Sequence, residues 1–346
     1  MYFNVDKLVA YYLNSKILDW FDFYLKCKFA KKNSIMKVHY GIESYRKIKN
    51  PVVTVGTFDG VHFGHQKIIN RLKRIAAECD GESVLLTFDP HPRKVLFKDN
   101  YLKLINTIDE KIKILSELGL DHLVIYPFTN DFSNFSAEEY ISELLVQKLK
   151  THYLVIGYDH HFGNKREGDI NLLKKAEKKY PFKLEEIKAH EIDEIKVSST
   201  KIRNAIDNGN IHLFKEYCGR NFEFSGSVVH GEGIGKTINT PTANIKLDND
   251  DKIKPADGVY AVLCQIDNNI LNGIMNIGLK PSIDINNKKT IEVHLFNFDK
   301  NIYNKSIKVE VISKIRDEIK FPSLNDLKNQ ITKDIKKAHQ ILKEEN

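Results

Sequence analysis

The order of predicted strands and helices changes once along this chain, and that change restricts the possible folds more than any other feature of the sequence. In the first part, short runs rich in β-branched residues alternate with longer segments of helical periodicity. The runs are residues 52–55, 84–88, 123–125 and 153–156, and the helical segments include residues 68–77 and 137–149. This alternation predicts an α/β domain in which helices flank a doubly wound parallel sheet.

The second part of the chain, from about residue 222, contains closely spaced strand candidates separated by glycine and asparagine turns. They are residues 222–229, 243–247, 258–266, 270–277, 290–298 and 306–312. Strands in this arrangement favour an antiparallel β-barrel over a second doubly wound sheet. We expect a C-terminal helix from Ser323 to about Leu342 to cover the barrel. The sequence Asp207-Asn208-Gly209-Asn210 predicts a helix stop and a linker between the two parts.

Length and composition exclude several classes of protein. A chain of 346 residues can form two cores, and its four cysteines lie far apart without a C-x-x-C pair. This spacing argues against a disulfide framework or zinc cluster and indicates a reducing cytoplasm. The sequence has no apolar run long enough to span a membrane. The net charge of +7 suits anionic ligands, but no basic block interleaved with aromatic residues indicates nucleic-acid binding. The sequence leaves a weak homo-oligomer open.

One candidate site joins the first predicted strand to the first predicted helix, in the segment VGTFDGVHFGHQ at residues 55–66. Ligands bind at this place in doubly wound sheets, and helix N-termini attract phosphate. His62 and His65 are three residues apart, so their imidazoles can point toward the same anion. The glycines that let the backbone approach a ligand closely are Gly56, Gly60 and Gly64. The segment predicts attack on the α-phosphate of ATP, with the histidines stabilising the departing pyrophosphate; the alternative is a pair of capping or metal-ligating histidines.

Two further segments are expected to support this site. In residues 197–203, the hydroxyls of Ser199 and Thr200 stand at a helix cap, and the guanidinium of Arg203 lies one turn inside. This pattern predicts a second anion receptor, although it is also typical of a well-capped helix. The loop at residues 156–163 follows a strand and offers Asp159 and Gly163 at the same edge of the sheet.

The second part of the chain contains a glycine-rich segment that is not a P-loop. Its glycines precede Lys236 and Thr237 with one residue fewer than the P-loop pattern requires, and a β-like segment follows instead of a helix. We still expect the N–H groups of this loop to cover phosphates. The glycines are Gly231, Gly233 and Gly235.

A second candidate site follows this loop. Thr242 and Asn244 present a hydroxyl and an amide oxygen on one side of an extended chain, which suits Mg²⁺ shared with ATP phosphates. The alternation of residues 291–295 places Glu292 and His294 on the face opposite Val293. A carboxylate there can accept the proton of a primary alcohol that attacks the γ-phosphate. Without these combined signals, Thr242 and Glu292 would be ordinary strand residues.

These motifs resemble those of the bacterial bifunctional riboflavin kinase/FAD synthetases. The first part carries four motifs of that family in the family's order, at residues 56–65, 87–92, 156–163 and 198–203. The second part carries three more, at residues 231–244, 276–281 and 292–298. His160 stands where the family usually has Phe. The resemblance begins near Met36, which leaves residues 1–35 as an N-terminal extension of unknown role.

The resemblance implies a Rossmann-like nucleotidyltransferase domain at residues 36–210 and a riboflavin kinase barrel at residues 211–346. His62 and His65 are then catalytic in the first domain and Glu292 is the base in the second, where Thr242 and Asn244 hold Mg²⁺. The implied nucleotide contacts of the first domain are Gly56, Thr57, Phe58, Asp59, Gly64, Asp159, Gly163, Ser199, Thr200 and Arg203. The implied nucleotide or flavin contacts of the barrel are Gly231, Gly233, Gly235, Lys236, Thr237, Pro241, Asn276, Gly278 and, in a flavin-side loop, Arg316.

The implied function is phosphorylation of riboflavin to FMN and transfer of AMP from ATP to FMN, with ATP, riboflavin and FMN as substrates. One alternative is a flavin- or nucleotide-binding sensor without turnover, against which the intact His62, His65 and Glu292 speak. Another is an adenylyltransferase for a different phosphate ester, such as a pantetheine or nicotinamide nucleotide. That alternative leaves residues 241–244 and Glu292 without a purpose.

Overall fold

The first part of the chain forms a six-stranded sheet in which neighbouring strands are parallel, in the order β1-β4-β3-β2-β5-β6. The structure, a computed structural model, describes residues 35–46, 48–99, 101–188, 197–231, 240–279 and 289–345. The strands are β1 (Lys37–Tyr40), β2 (Val52–Val55), β3 (Ser83–Asp89), β4 (His122–Pro127), β5 (Tyr153–Gly157) and β6 (Lys183–Ile187). Because the chain leaves β2 toward β3 and later returns to β5 on the other side, a crevice lies at the carboxyl end of β2. The predicted doubly wound α/β fold is confirmed.

Helices cover both faces of this sheet. In chain order they are α1 (Phe63–Glu78), α2 (Pro92–Leu96), α3 (Ile108–Glu117), α4 (Asn130–Ser133), α5 (Ala137–Glu139), α6 (Ile170–Lys179), α7 (Ser199–Asp207) and α8 (Ile211–Cys218), with α5 continuing as a π-helix (Tyr140–Lys148). Leu72 of α1 and Leu115 of α3 are buried with Leu85 on one face, whereas Leu144 and Leu173 are buried with Leu86 on the other. Successive strand residues therefore supply two separate cores.

The second part of the chain is a closed barrel of six antiparallel strands in the order β10-β11-β8-β7-β12-β9. The strands are β7 (Phe222–Val229), β8 (Ala243–Leu247), β9 (Gly258–Ile266), β10 (Asn269–Leu279), β11 (Lys289–Leu295) and β12 (Ser306–Arg316). The predicted barrel is confirmed. The strand predicted at residues 290–298 was too long, because Asn297 has a left-handed backbone conformation with a φ of 53° and the strand ends at Leu295.

The C-terminal helix α9 (Leu324–Glu344) covers the outside of the barrel, as predicted. It begins where the side chain of Ser323 accepts a hydrogen bond from the N–H of Asp326. Ala338 and Leu342 are buried in one cluster with apolar side chains of the strands beneath. None of the helices in the described ranges is long and apolar enough to cross a membrane.

The two parts are joined by packed helices. The predicted helix stop is confirmed, because α7 ends at Asp207 and α8 begins at Ile211. The connection is not an extended linker, since Ile206 and Ile211 belong to the same buried cluster as Phe222 and Tyr260 of the barrel. The domain limits at residues 35 and 210 stay a prediction.

Candidate active sites

The two predicted histidines lie together at the N-terminus of α1, at the carboxyl end of β2. His62 is the N-cap residue, and its Nδ1 accepts a hydrogen bond of 3.4 Å from the N–H of His65. The two imidazole rings stack with their centroids 3.7 Å apart, and Phe58 stacks on His65 at 4.6 Å. The capping alternative thus accounts for one ring nitrogen of His62 and leaves Nε2 for another role.

The protonation of this pair follows from its surroundings. Because Nδ1 of His62 accepts an N–H, the proton of the neutral ring lies on Nε2, which becomes a donor. Burial lowers the pKa of His62 to about 4; the charge of Asp59 opposes this shift and that of Arg220 adds to it. Burial also lowers the pKa of His65 well below its usual value, and its buried Nδ1 has no hydrogen-bond partner among the described residues. Both imidazoles are therefore neutral at pH 7 in the free protein.

Asp59 and Arg203, both predicted to contact the nucleotide, bind each other. Asp59 is buried, and its carboxylate accepts the N–H groups of Ile105 and Asn106, each at 3.1 Å, while it also forms an ion pair with Arg203. The hydroxyl of Ser199 donates to the backbone oxygen of Asp59 at 2.8 Å. These contacts fix the turn that precedes the histidines, and a nucleotide contact of either charged group stays a prediction.

A buried lysine that the sequence analysis missed lies beside the same turn. Nζ of Lys111 donates to the backbone oxygen of Thr57 at 2.7 Å and to the hydroxyl of Thr87 at 3.2 Å. The hydroxyl of Thr87 donates to the same oxygen at 3.0 Å. Burial lowers the pKa of Lys111, and the charges of Asp59 and Asp89 oppose this shift. The signal that could have revealed it is a lysine on the buried face of an amphipathic helix.

The remaining predicted residues of the α/β domain differ in exposure. Gly163 has a φ of 74°, and a Cβ at this position would lie 2.8 Å from the backbone nitrogen of Ala137, so a side chain would not fit there. Asp159 and Thr200 are exposed. The glycines around the histidines are Gly56, at the end of β2, and Gly64, buried in the first turn of α1.

In the barrel, three polar residues lie in one row across neighbouring strands. Asn276 of β10 is paired with Glu292 of β11, and Glu292 is paired with Asn244 of β8. Directly paired residues project from the same face of a sheet. Val293, which points the other way, is buried in the barrel core, whereas Glu292 is half-buried. The row therefore stands on the outer face of the barrel.

Two hydrogen bonds join the start of β8 to this row. Oγ1 of Thr242 donates to Oε2 of Glu292 at 3.0 Å. Nδ1 of His294 lies 2.8 Å from the backbone oxygen of Pro241 and donates to it, because a carbonyl oxygen can only accept. The structure thus brings the predicted base and one predicted metal ligand into direct contact.

The oxygen donors at this place fit a magnesium ion. Thr242 and Asn244 supply a hydroxyl and an amide oxygen, and Mg²⁺ bound to ATP completes its coordination with phosphate and water. Gly231 lies against the amide of Asn244 so closely that a Cβ would overlap it. Within the described ranges, no cluster of three or more His, Cys, Asp or Glu residues offers another metal site. The other predicted residues of the glycine-rich loop lie outside the described residues: Gly233, Gly235, Lys236 and Thr237.

A cavity of about 280 Å³ opens beside Thr242. Its volume is close to the lower end of the range for small-molecule sites. The wall is mixed, with apolar side chains from the barrel and polar ones from the segment after β11. The lining residues are Val228, Pro241, Thr242, Ala243, Val293, Leu295, Phe298, Asp299, Lys300, Asn301, Ile302 and Tyr303.

Two predicted contacts of the barrel are occupied by other groups. Gly278 lies against the carboxylate of Glu318, which would have to move to admit a side chain at this position. Arg316 was predicted to lie in a loop. It is instead the last residue of β12, because its backbone pairs with that of Val259. Its Nε and Nη2 each lie 2.9 Å from Oδ2 of Asp334 in α9. A flavin contact of Arg316 stays a prediction.

The fold and these sites define a two-domain transferase, with a nucleotidyltransferase-like α/β domain followed by an antiparallel barrel. Residues 45–201 match the family model of FAD synthetase, and residues 218–342 match that of riboflavin kinase. The protein of Buchnera aphidicola subsp. Acyrthosiphon pisum is 41% identical over 303 residues, which are 87% of this chain and 96% of that protein. The Haemophilus influenzae protein is 37% identical over 85% of this chain and 94% of its own length. Both are bifunctional riboflavin kinase/FMN adenylyltransferases, and the chain belongs to this family.

A solved structure agrees with the arrangement of both parts. The crystal structure of a macrolide-efflux protein from Streptococcus pneumoniae is similar with a TM-score of 0.78 and 27% sequence identity. The match covers 88% of this chain and 99% of that chain. The likeness therefore extends over the α/β domain and the barrel together.

Proposed function

We propose that this chain makes flavin cofactors from ATP, phosphorylating riboflavin in the barrel and transferring AMP to the product FMN in the α/β domain. Family membership supports both activities, because the relatives carry both in their names. The observation that carries the proposal is the presence of two separate sites in one chain. One is the stacked pair His62 and His65 at a helix N-terminus, and the other is the hydrogen-bonded pair Thr242 and Glu292 on the barrel.

In the α/β domain, a phosphate oxygen of FMN attacks the α-phosphorus of ATP, and the bond to the β-phosphate breaks as pyrophosphate leaves. Nε2–H of His62 and the free N–H groups of the first turn of α1 donate to the phosphate oxygens. His65, stacked on His62, keeps the ring of His62 in this orientation. These donors are in place before ATP binds, so little reorganisation accompanies the reaction.

In the barrel, the primary hydroxyl of riboflavin attacks the γ-phosphorus of ATP, and the bond from that phosphorus to the β-phosphate breaks as ADP leaves. Glu292 accepts the proton of the hydroxyl. The hydroxyl of Thr242 holds the carboxylate of Glu292 and leaves it further lone pairs for the substrate. General-base catalysis of this kind contributes about 10² to 10⁴ in rate. Thr242 and Asn244 would hold Mg²⁺ together with ATP, and the ion would neutralise part of the phosphate charge. We infer that the nucleoside part of this ATP binds in the cavity beside Thr242, because Thr242 lines that cavity.

The proposed activities also indicate the partners of the protein and its location in the cell. ATP, riboflavin and FMN are its small-molecule partners. The described cysteines, Cys79, Cys218 and Cys264, are unpaired thiols, as expected in a reducing cytoplasm. That location, the lack of nucleic-acid binding and a weak homo-oligomer stay predictions.

Chromatography of a simple reaction tests this proposal. We expect purified protein incubated with riboflavin, ATP and Mg²⁺ to form FMN first and FAD later, and to form neither when Mg²⁺ is chelated. Riboflavin that stays unchanged would indicate a sensor. Formation of FMN without FAD, also when FMN is supplied directly, would contradict the adenylyl transfer.

A further inference from the structure

The turn that carries His62 has a backbone conformation that needs support. Gly60 has a φ of 91° and Val61 a φ of 38°, and the latter is unfavourable for a β-branched residue. Such a conformation persists only where the surrounding structure holds it. One support is local, because Nε2 of Gln66 donates to the backbone oxygen of Val61 at 3.0 Å.

The other support comes from the barrel side of the chain. Arg220 follows α8 and lies within the stretch that matches riboflavin kinase. Its Nη2 donates to the backbone oxygen of Gly60 at 2.8 Å and to Oδ1 of Asn106 at 3.1 Å. Its guanidinium also lies over the ring of Phe214, 5.5 Å from the centroid. The ring of Phe214 and the amide oxygen of Asn106 thus hold the guanidinium of Arg220, which in turn holds the backbone of the turn.

A second cation of the barrel supports the same turn indirectly. Lys252 is buried, and its Nζ donates to the backbone oxygen of Ile105 at 2.7 Å and to the carboxylate of Glu110. The N–H of Ile105 in turn donates to Asp59, the residue before Gly60. The neighbouring Leu104 pairs through its backbone with the barrel segment around Lys252. Groups from the barrel therefore hold both ends of the turn.

We propose that Arg220 is a positioning residue for adenylyl transfer, fixing the Gly60–Val61 turn so that His62 points at the departing pyrophosphate. The proposal rests on the proposed function, because it needs adenylyl transfer at this turn. It means that the riboflavin kinase half completes the adenylyltransferase site. Arg220 itself acts through the backbone and does not contact the reacting atoms.

Charge gives a second readout of the same contact. The groups that shift the pKa of His62 through their charge are Asp59 and Arg220, and those that shift the pKa of His65 are His62, Lys111 and Arg220. Since the charge of Arg220 disfavours a second cation nearby, removing it raises the pKa of His62 above about 4. This shift reports that the charge of Arg220 lies near His62, and the kcat of adenylyl transfer reports its positioning role.

Two variants of Arg220 test the proposal in the full-length protein. R220M removes every donor and the charge, whereas R220K keeps the charge and one donor nitrogen. We expect R220M to lower kcat of adenylyl transfer by about tenfold to hundredfold, with little change in KM for ATP, because a displaced catalytic group impairs the transition state. R220K should recover most of the loss. Riboflavin phosphorylation by the same preparations should stay unchanged.

A matched control is R71M, which removes a half-buried arginine of α1 that binds Glu185 away from the turn. We expect it to change neither activity. An unchanged kcat in R220M, an equal loss of both activities, or an increase in KM alone would overturn the proposal. FAD formation by the wild-type protein is measured first, and its absence refutes the proposed function and the role of Arg220 together. If the wild-type protein forms FAD but R220M does not show the expected loss of kcat, only the role of Arg220 is refuted.

Discussion

The imidazole of His62 is held by two contacts that both involve His65, one from its N–H and one from its ring. Both contacts follow from a three-residue spacing at the start of a helix, where the N-cap side chain reaches the third N–H. The sequence could therefore predict that the two imidazoles meet. It could not predict their charge, because the pKa depends on burial and on Arg220, which is distant in sequence.

His62 offers a direct test of this charge state. We expect NMR titration to give His62 a pKa of about 4 in the free protein, because burial disfavours the imidazolium. Saturating ATP should raise this pKa, since phosphate charge favours the protonated ring. The spectrum of H62Q assigns the signal. An ordinary histidine pKa in the free protein would contradict the enclosed position of the ring.

Residues that come from distant parts of the chain were harder to predict, and Lys111 gave only the signal of a lysine on the buried face of an amphipathic helix. Lys111 and Arg220 both support the first site, but neither belongs to a motif that carries a glycine or histidine pattern. Their roles depend on backbone oxygens of Thr57 and Gly60, and such contacts leave no periodicity in the sequence. The row of Asn276, Glu292 and Asn244 also depends on strand register, which the alternation of each strand alone does not fix.

Among the structural elements, buried strands were predictable and edge strands were not. β2 is fully buried and has the β-branched sequence VVTV, whereas β6 at the sheet edge has the sequence KLEEI and is mostly half-exposed. Parallel strands buried on both faces have nearly continuous apolar sequences, but an edge strand does not need one. The segment Tyr140–Lys148 reads as helical, and its π-helical form, in which the N–H of Leu149 reaches the oxygen of Leu144, has no sequence signal.

The C-terminal helix α9 provides a test of packing. Leu342 is 1% exposed, whereas Leu324 in the first turn of the same helix is 64% exposed. We expect L342A to lower the free energy of unfolding by about 2 to 4 kcal/mol, because the change removes buried contacts and leaves a cavity. L324A should change it by less than about 0.5 kcal/mol. Equal effects of the two variants in denaturant titrations would show that α9 does not pack on the barrel as described.

At the scale of the whole molecule, neutral histidines that are buried or half-buried link stability to pH. Burial lowers the pKa to about 4 for His62, His91 and His160, and it lowers that of His65 well below its usual value. In the unfolded chain these groups bind protons near pH 6.5, so the unfolded state takes up more protons between about pH 6.5 and 4. The free energy of unfolding should therefore decrease as the pH falls through this range.

H160F isolates one of these contributions while it keeps an aromatic ring against Phe162. We expect the loss of stability between pH 7 and 5 to be smaller than in the wild-type protein by about 1 to 2 kcal/mol, because one titrating group is removed. Urea unfolding at both pH values measures the difference. The same pH dependence in H160F and the wild-type protein would contradict the lowered pKa of His160.

The central claim is that each half of the molecule carries one step, and a pair of reciprocal variants tests it most directly. Both steps are measured for E292Q and H65A, with riboflavin supplied for the first step and FMN for the second. We predict that E292Q loses FMN formation but still converts supplied FMN to FAD, and that H65A still forms FMN but no FAD. Equal loss of both steps in folded E292Q and H65A would contradict the division of the reaction between the two sites.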